Sequence, residues 1–164
     1  MNRLSTIAAI ALLCLGISLP GAVFAQTAKE YVGTWALISS DTVRSDGSRV
    51  PTFGGKATGI LIFGSDGRFV YLFSRAELPK FASNNRNTGT PEENAAVVKG
   101  SIATYGTYSV ADKVFTIRIE HSTFPNWIGA EQTRTITATG DEMKWSNPAG
   151  SGGGVVELVL KRVK

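Results

Sequence analysis

The chain has 164 residues, of which about the first 25 read as an export signal, leaving about 139 for a single folding unit. Its one cysteine, Cys14, lies inside that signal, so disulfides, cysteine-ligated metals and a cysteine nucleophile are excluded from the mature protein, and a single histidine is too little for a histidine metal site. Seventeen Lys and Arg against 13 Asp and Glu give +4, but the basic residues are scattered among acidic ones instead of forming a stripe, which argues against a nucleic-acid partner.

The signal consists of Arg3 as the charged start, an apolar run over 7–17, a break at Pro20-Gly21 and small residues before Gln26, with cleavage expected after Ala25. The apolar run is about 11 residues, shorter than the roughly 20 of a spanning helix, so no stable membrane insertion is expected. Leu13 just before Cys14, and the apolar residues beyond it, argue against lipidation. The expectation is an exported protein, periplasmic or extracellular, with 26–164 as one domain.

A short helical lead-in is expected over 28–32. Eight β-rich segments follow, at 33–43, 57–63, 68–74, 102–110, 114–122, 131–139, 142–146 and 155–163. One later helix is marked by Thr90 as N-cap, Pro91 at its first position, Glu93 at the capping-box position and Gly100 as its stop. Tight hairpins are expected around Ser65-Asp66-Gly67, Asp112 and Gly140-Asp141, whereas the other connections, 44–56, 75–101, 123–130 and 147–154, are long. In an up-and-down antiparallel meander this alternation gathers the tight turns at one end and the long loops at the other. Eight such strands close into a barrel with room for side chains or one small ligand, and the long-loop end is its mouth.

Period-2 alternation then assigns faces. In the last strand Val156, Leu158, Leu160 and Arg162 are expected inward; if first and last strands pair, Arg162 meets Trp35 and a cation–π contact closes the base. Phe69, Tyr71 and Phe73 share one face, read as a lumen wall leading to Arg75, with inward Val70 and Leu72 as the alternative. Tyr105 and Tyr108 have opposite parity, so one of them reaches the cavity. Pairing Ser122 with Gln132 would set Glu120 opposite Arg134 and Arg118 opposite Ile136. The fifth segment favours Phe115, Ile117 and Ile119 inside, with His121 following them, which turns Glu120 out. The sixth favours Ile136 and Ala138 inside, which brings Arg134 in, so the face of that pair stays open.

The Gly33-x-Trp35 start, the stretch Thr123-Phe124-Pro125-Asn126-Trp127-Ile128-Gly129 followed by Gln132-x-Arg134, and the basic strand end at Lys161-Arg162 resemble bacterial lipocalin-like domain proteins, over about residues 30–161. The resemblance implies a calycin-like all-β barrel of eight up-and-down strands and leaves the chemistry open, because many members are uncharacterised.

The expected function is binding of a small, mostly apolar molecule in the lumen. Tyr71, Phe73, Arg75, Glu120, Asn126, Trp127 and Arg134 are the candidate ligand-binding residues, and Trp35 with Arg162 closes the barrel. No metal or cofactor is expected. Two alternatives stand beside this reading. One is a cyclase, isomerase or hydrolase with Glu120 as candidate catalytic residue and Arg134 as charge stabiliser; the other is a non-catalytic interaction module of the envelope.

Overall fold

The structure, a computed structural model, describes residues 29–111 and 114–164; the expected export signal, the start of the expected helical lead-in and the turn expected at Asp112 lie outside them. Nine antiparallel strands form one sheet: β1 (Gly33–Val43), β2 (Arg49–Pro51), β3 (Ala57–Phe63), β4 (Arg68–Arg75), β5 (Ser101–Ala111), β6 (Val114–Ser122), β7 (Glu131–Thr139), β8 (Glu142–Asn147) and β9 (Val155–Arg162). The order is β2-β1-β3-β4-β5-β6-β7-β8-β9, and β1 also pairs with β9, so eight strands close a barrel. The ninth, β2, is a three-residue strand inside the first long connection. It pairs with the upper end of β1, Val43 opposite Arg49, around a turn at Asp46-Gly47. Between β4 and β5 lies α1 (Pro91–Gly100), capped by Thr90 and Glu93 in a reciprocal capping box.

Alternation decides what fills the interior. Phe69, Tyr71 and Phe73 of β4 are buried while Val70 and Leu72 face solvent, so the aromatic residues line the lumen. Tyr108 is the inward tyrosine of β5 and donates its hydroxyl to Gly64 O at 2.9 Å, whereas Tyr105 lies outside. Phe115, Ile117 and Ile119 of β6 and Arg134 and Ile136 of β7 are all buried.

The expected β6–β7 register is wrong. Phe115, not Glu120, stands opposite Arg134, and Arg118 stands opposite Glu131. The hairpin closes at Ile119, which donates to Ala130 O at 2.9 Å and accepts from Gly129 N–H at 2.9 Å. The shift is an odd number of residues. It therefore lets both strands turn their apolar sets inward, and it places Glu120 and Arg134 on opposite faces.

Two bulges break the alternation in the half of the barrel nearest the mouth. In β6 the residues opposite Tyr105 and Gly106 are His121 and Ile119, so Glu120 is the extra residue. As a result His121, which strict alternation carries inward, is exposed, and Ser122 turns in to bond Thr104 at 3.0 Å. Gly106 is required there, because a Cβ would sit 1.9 Å from Arg118 O. In β1 the extra residue is Ile38, between Leu37 opposite Leu160 and Ser39 opposite Val159. Ile38 is exposed, and Ser40 becomes an interior residue opposite Leu158.

At the base, Trp35 stands opposite Arg162, whose Cζ lies 4.0 Å from the indole centroid. Trp35 donates its ring N–H to Tyr31 O at 2.8 Å, and Arg162 donates to Val32 O at 2.8 Å and to Glu30 O. Gly33 gives the guanidinium room: its φ is +129°, and a Cβ there would lie 3.0 Å from Arg162 Nη1.

Candidate functional site: a cavity beneath the barrel mouth

The basal half of the lumen is filled by aromatic packing. Phe63, Tyr108 and Phe115 pack with centroids 4.6, 5.2 and 5.8 Å apart, and Tyr31 meets Phe115 edge-on at 4.6 Å. Open space begins above them. A cavity of about 50 Å³ is lined by Ser40 of β1, Tyr71 and Phe73 of β4, Ile102 of β5, Arg134 of β7, Trp145 and Asn147 of β8 and Leu158 of β9, with Phe53 and Trp127 reaching in from the mouth loops. Tyr71 and Phe73 stack at 4.7 Å with ring planes 11° apart, a flat wall made by successive inward positions of one strand.

A groove of about 820 Å³ lies across the mouth, between the β1–β2 hairpin, the start of β5, Phe124 and the 151–154 loop. Thr52, Phe53, Ile102 and Ser151 line both the groove and the inner cavity, so the two spaces adjoin. Thr52 fixes the hairpin over the opening by donating its N–H to Ser40 O at 2.9 Å.

Among the described residues, Arg134 is the one charged residue lining the inner cavity. It is only 2 % exposed, and no carboxylate among the described residues lies within ion-pair distance of it. Its Nη1 donates to Thr133 O at 2.9 Å and its Nη2 to Gln132 Oε1, while Nε has no hydrogen-bond partner. Its Cζ lies 6.0 Å from the Trp127 ring centroid. Burial draws the guanidinium pKa down from its ordinary value to about 10, with Tyr71 opposing the shift, so the group is a cation at neutral pH. Tyr71 is affected in the other sense: burial raises its phenol, and Thr104 and Arg134 oppose the rise. Ser40, another residue lining this cavity, also has a buried polar atom without a partner, its Oγ.

Of the residues expected to form a site, Tyr71, Phe73, Trp127 and Arg134 come together around the cavity. The remaining three lie elsewhere. Arg75 is half-buried between Gly55 and Gly100 at the end of α1, where a cation complements the helix dipole, and Asn126 is exposed in the 3-10 turn Pro125–Trp127. Glu120 is on the outside, bonded to Arg68 at 2.6 Å. Sequence reasoning missed Ser40, Phe53, Trp145 and Asn147. Trp145 and Asn147 share the inward parity of β8 and were accessible to the alternation rule, whereas Ser40 depends on the Ile38 bulge.

A closed antiparallel meander, sealed at one end by a Trp–Arg contact and hollow beneath the other, defines a lipocalin-type barrel. A family model described as the lipocalin-like domain matches residues 32–162, and the chain belongs to that family. Among solved structures it is similar to a lipocalin-like protein from Bacteroides uniformis ATCC 8492, at 13 % identity and a TM-score of 0.45, over 80 % of this chain and 97 % of that one. It is also similar to an uncharacterized protein from Bacteroides eggerthii DSM 20697, at 14 % identity and a TM-score of 0.43, over 81 % of this chain and 99 % of that one. No curated protein matches the sequence. Among the described residues no helix is long and apolar enough to cross a membrane.

Proposed function

We propose that this is an exported protein that binds a small, mostly apolar molecule at the mouth of its barrel, with the polar end of the molecule inserted against Arg134 and its body in the groove above. The observation that carries the reading is the cavity itself, which has aromatic walls, adjoins the mouth and counts among its lining residues Arg134 and Ser40, whose buried Nε and Oγ have no hydrogen-bond partner. Protein interiors pair such groups, and a site that leaves them free is built for an incoming partner. Tyr71, Phe73 and Trp127 supply the apolar contact. Export is supported by Arg3, the apolar run over 7–17 and the small residues before Gln26.

Catalysis by Glu120 with Arg134 has no geometric support, since the two face opposite sides of the sheet. Native mass spectrometry of the protein purified from its own host tests the binding reading. A co-purifying small molecule, released by denaturation, is the expected result; a homogeneous ligand-free mass, together with no binding across a panel of small amphiphiles, would overturn it.

A further inference from the structure

We infer that the molecule bound is a monocarboxylate with an apolar body, its carboxylate received by Arg134 Nε and Ser40 Oγ; this rests on the small-molecule reading above and specifies its chemistry.

Three observations lead there. First, a guanidinium only 2 % exposed and without an acidic partner among the described residues is an incomplete ion pair. Water can satisfy its N–H groups but not its charge, and an uncompensated charge in the interior is strongly unfavourable. Second, both free atoms are donors. Nε–H can only donate, and the Ser40 hydroxyl has its proton to give, so the missing partner is an acceptor, and an anionic one. Third, the size and charge of the cavity limit the head group. About 50 Å³ holds roughly four water-sized groups, enough for a carboxylate and the carbon that bears it. Arg134 is the one cation among the described residues of the lining, so a phosphate dianion would bring a second charge with nothing there to neutralise it. The body then continues past Phe53 and Ile102 into the groove of about 820 Å³, whose apolar residues include Val50, Val98 and Phe124.

The test compares molecules that differ only in the head. Octanoate and octan-1-ol, and 3-phenylpropanoate and 3-phenylpropan-1-ol, are titrated at pH 7.5 with tryptophan fluorescence as readout, since Trp127 and Trp145 line the cavity. The acids are expected to bind at least tenfold more tightly than the alcohols, and Arg134→Met is expected to bring that ratio close to one. Equal binding of acid and alcohol by the native protein would overturn the carboxylate assignment and leave the binding reading standing. No binding of any of the four would overturn both. A parallel titration with sodium chloride identifies simple halide occupancy: if chloride at equal concentration protects the protein from thermal unfolding as well as octanoate does, the assignment also falls. Arg134→Lys, which keeps the charge but loses the planar fork, is expected to retain part of the preference, which is a readout independent of whether the methionine variant folds.

Discussion

The Arg134 guanidinium lies 6.0 Å from the Trp127 ring centroid, so the indole folded down from the mouth is the nearest thing this buried cation has to a counter-charge. A ring quadrupole offers only about 0.5 to 2 kcal/mol to a cation, less than burial takes away. In the ligand-free protein Arg134 is therefore a stability cost, which the proposed binding role would offset. Replacing it by methionine, of similar length and without charge, is expected to raise the stability of the empty barrel by about 1 to 2 kcal/mol and its melting temperature by roughly 3 to 6 °C. Urea and thermal unfolding measure this. A loss of 2 kcal/mol or more would show that Arg134 holds the barrel together.

The direction of the Arg134 shift also fixes a pH dependence. Its folded-state pKa, drawn to about 10, is below the ordinary guanidinium value that it keeps in the unfolded chain. Between those values the unfolded chain binds more protons, so this group's contribution to stability rises with pH through that window. Subtracting the pH–stability curve of Arg134→Met from that of the native protein isolates the contribution. Carboxylate binding is expected to run oppositely: level across neutral pH, and weakening above about 10 as the guanidinium loses its proton. It also weakens below about 5 as the ligand's own carboxyl is neutralised.

At the base, Arg162 combines the indole contact at 4.0 Å with bonds to Val32 O and Glu30 O, while its neighbour Lys161 points outward. Arg162→Ala is expected to cost about 2 to 3 kcal/mol. Lys161→Ala should change stability by less than about 0.5 kcal/mol. Equal effects in chemical denaturation would show that the base is not held by Arg162.

Most of the barrel was legible because its pattern is local: alternation, Asp-Gly turns and the unequal connections each follow from a few adjacent residues. The β6–β7 register was not, although the means were there. Phe115, Ile117 and Ile119 have odd numbers and Arg134 and Ile136 even ones, so partners that share the inner face must have numbers of odd sum. Pairing Glu120 with Arg134 violates that, and the apparent conflict between the two strands was itself the sign of a wrong register. The bulges were harder to see. Nothing in Leu37-Ile38-Ser39 marks an extra residue, because a bulge reflects how two strands must bend to close the barrel. The same closure brings Ser40 into the cavity, so half of the proposed anion receptor was invisible before the fold.

Gly106 tests the β6 bulge directly. A methyl group at this position would sit only 1.9 Å from Arg118 O, so Gly106→Ala is expected to cost about 3 kcal/mol or more, whereas Gly152→Ala, with open space around it, should cost less than about 0.5 kcal/mol. Equal effects in urea titrations would mean that β5 and β6 do not approach as closely as described.

Glu120→Gln removes an exposed pair with Arg68 and should cost no more than about 1 kcal/mol, diminishing further in high salt. Octanoate affinity should not change. A tenfold or greater loss of binding in the correctly folded variant would place Glu120 in the site after all.

Carboxylate recognition stands or falls on what occupies the space beside Arg134. A crystal structure of the protein with octanoate should show a planar carboxylate against Arg134 Nε and Ser40 Oγ, with the chain running out past Phe53. An octanoate bound elsewhere, with water alone in that cavity, would contradict it.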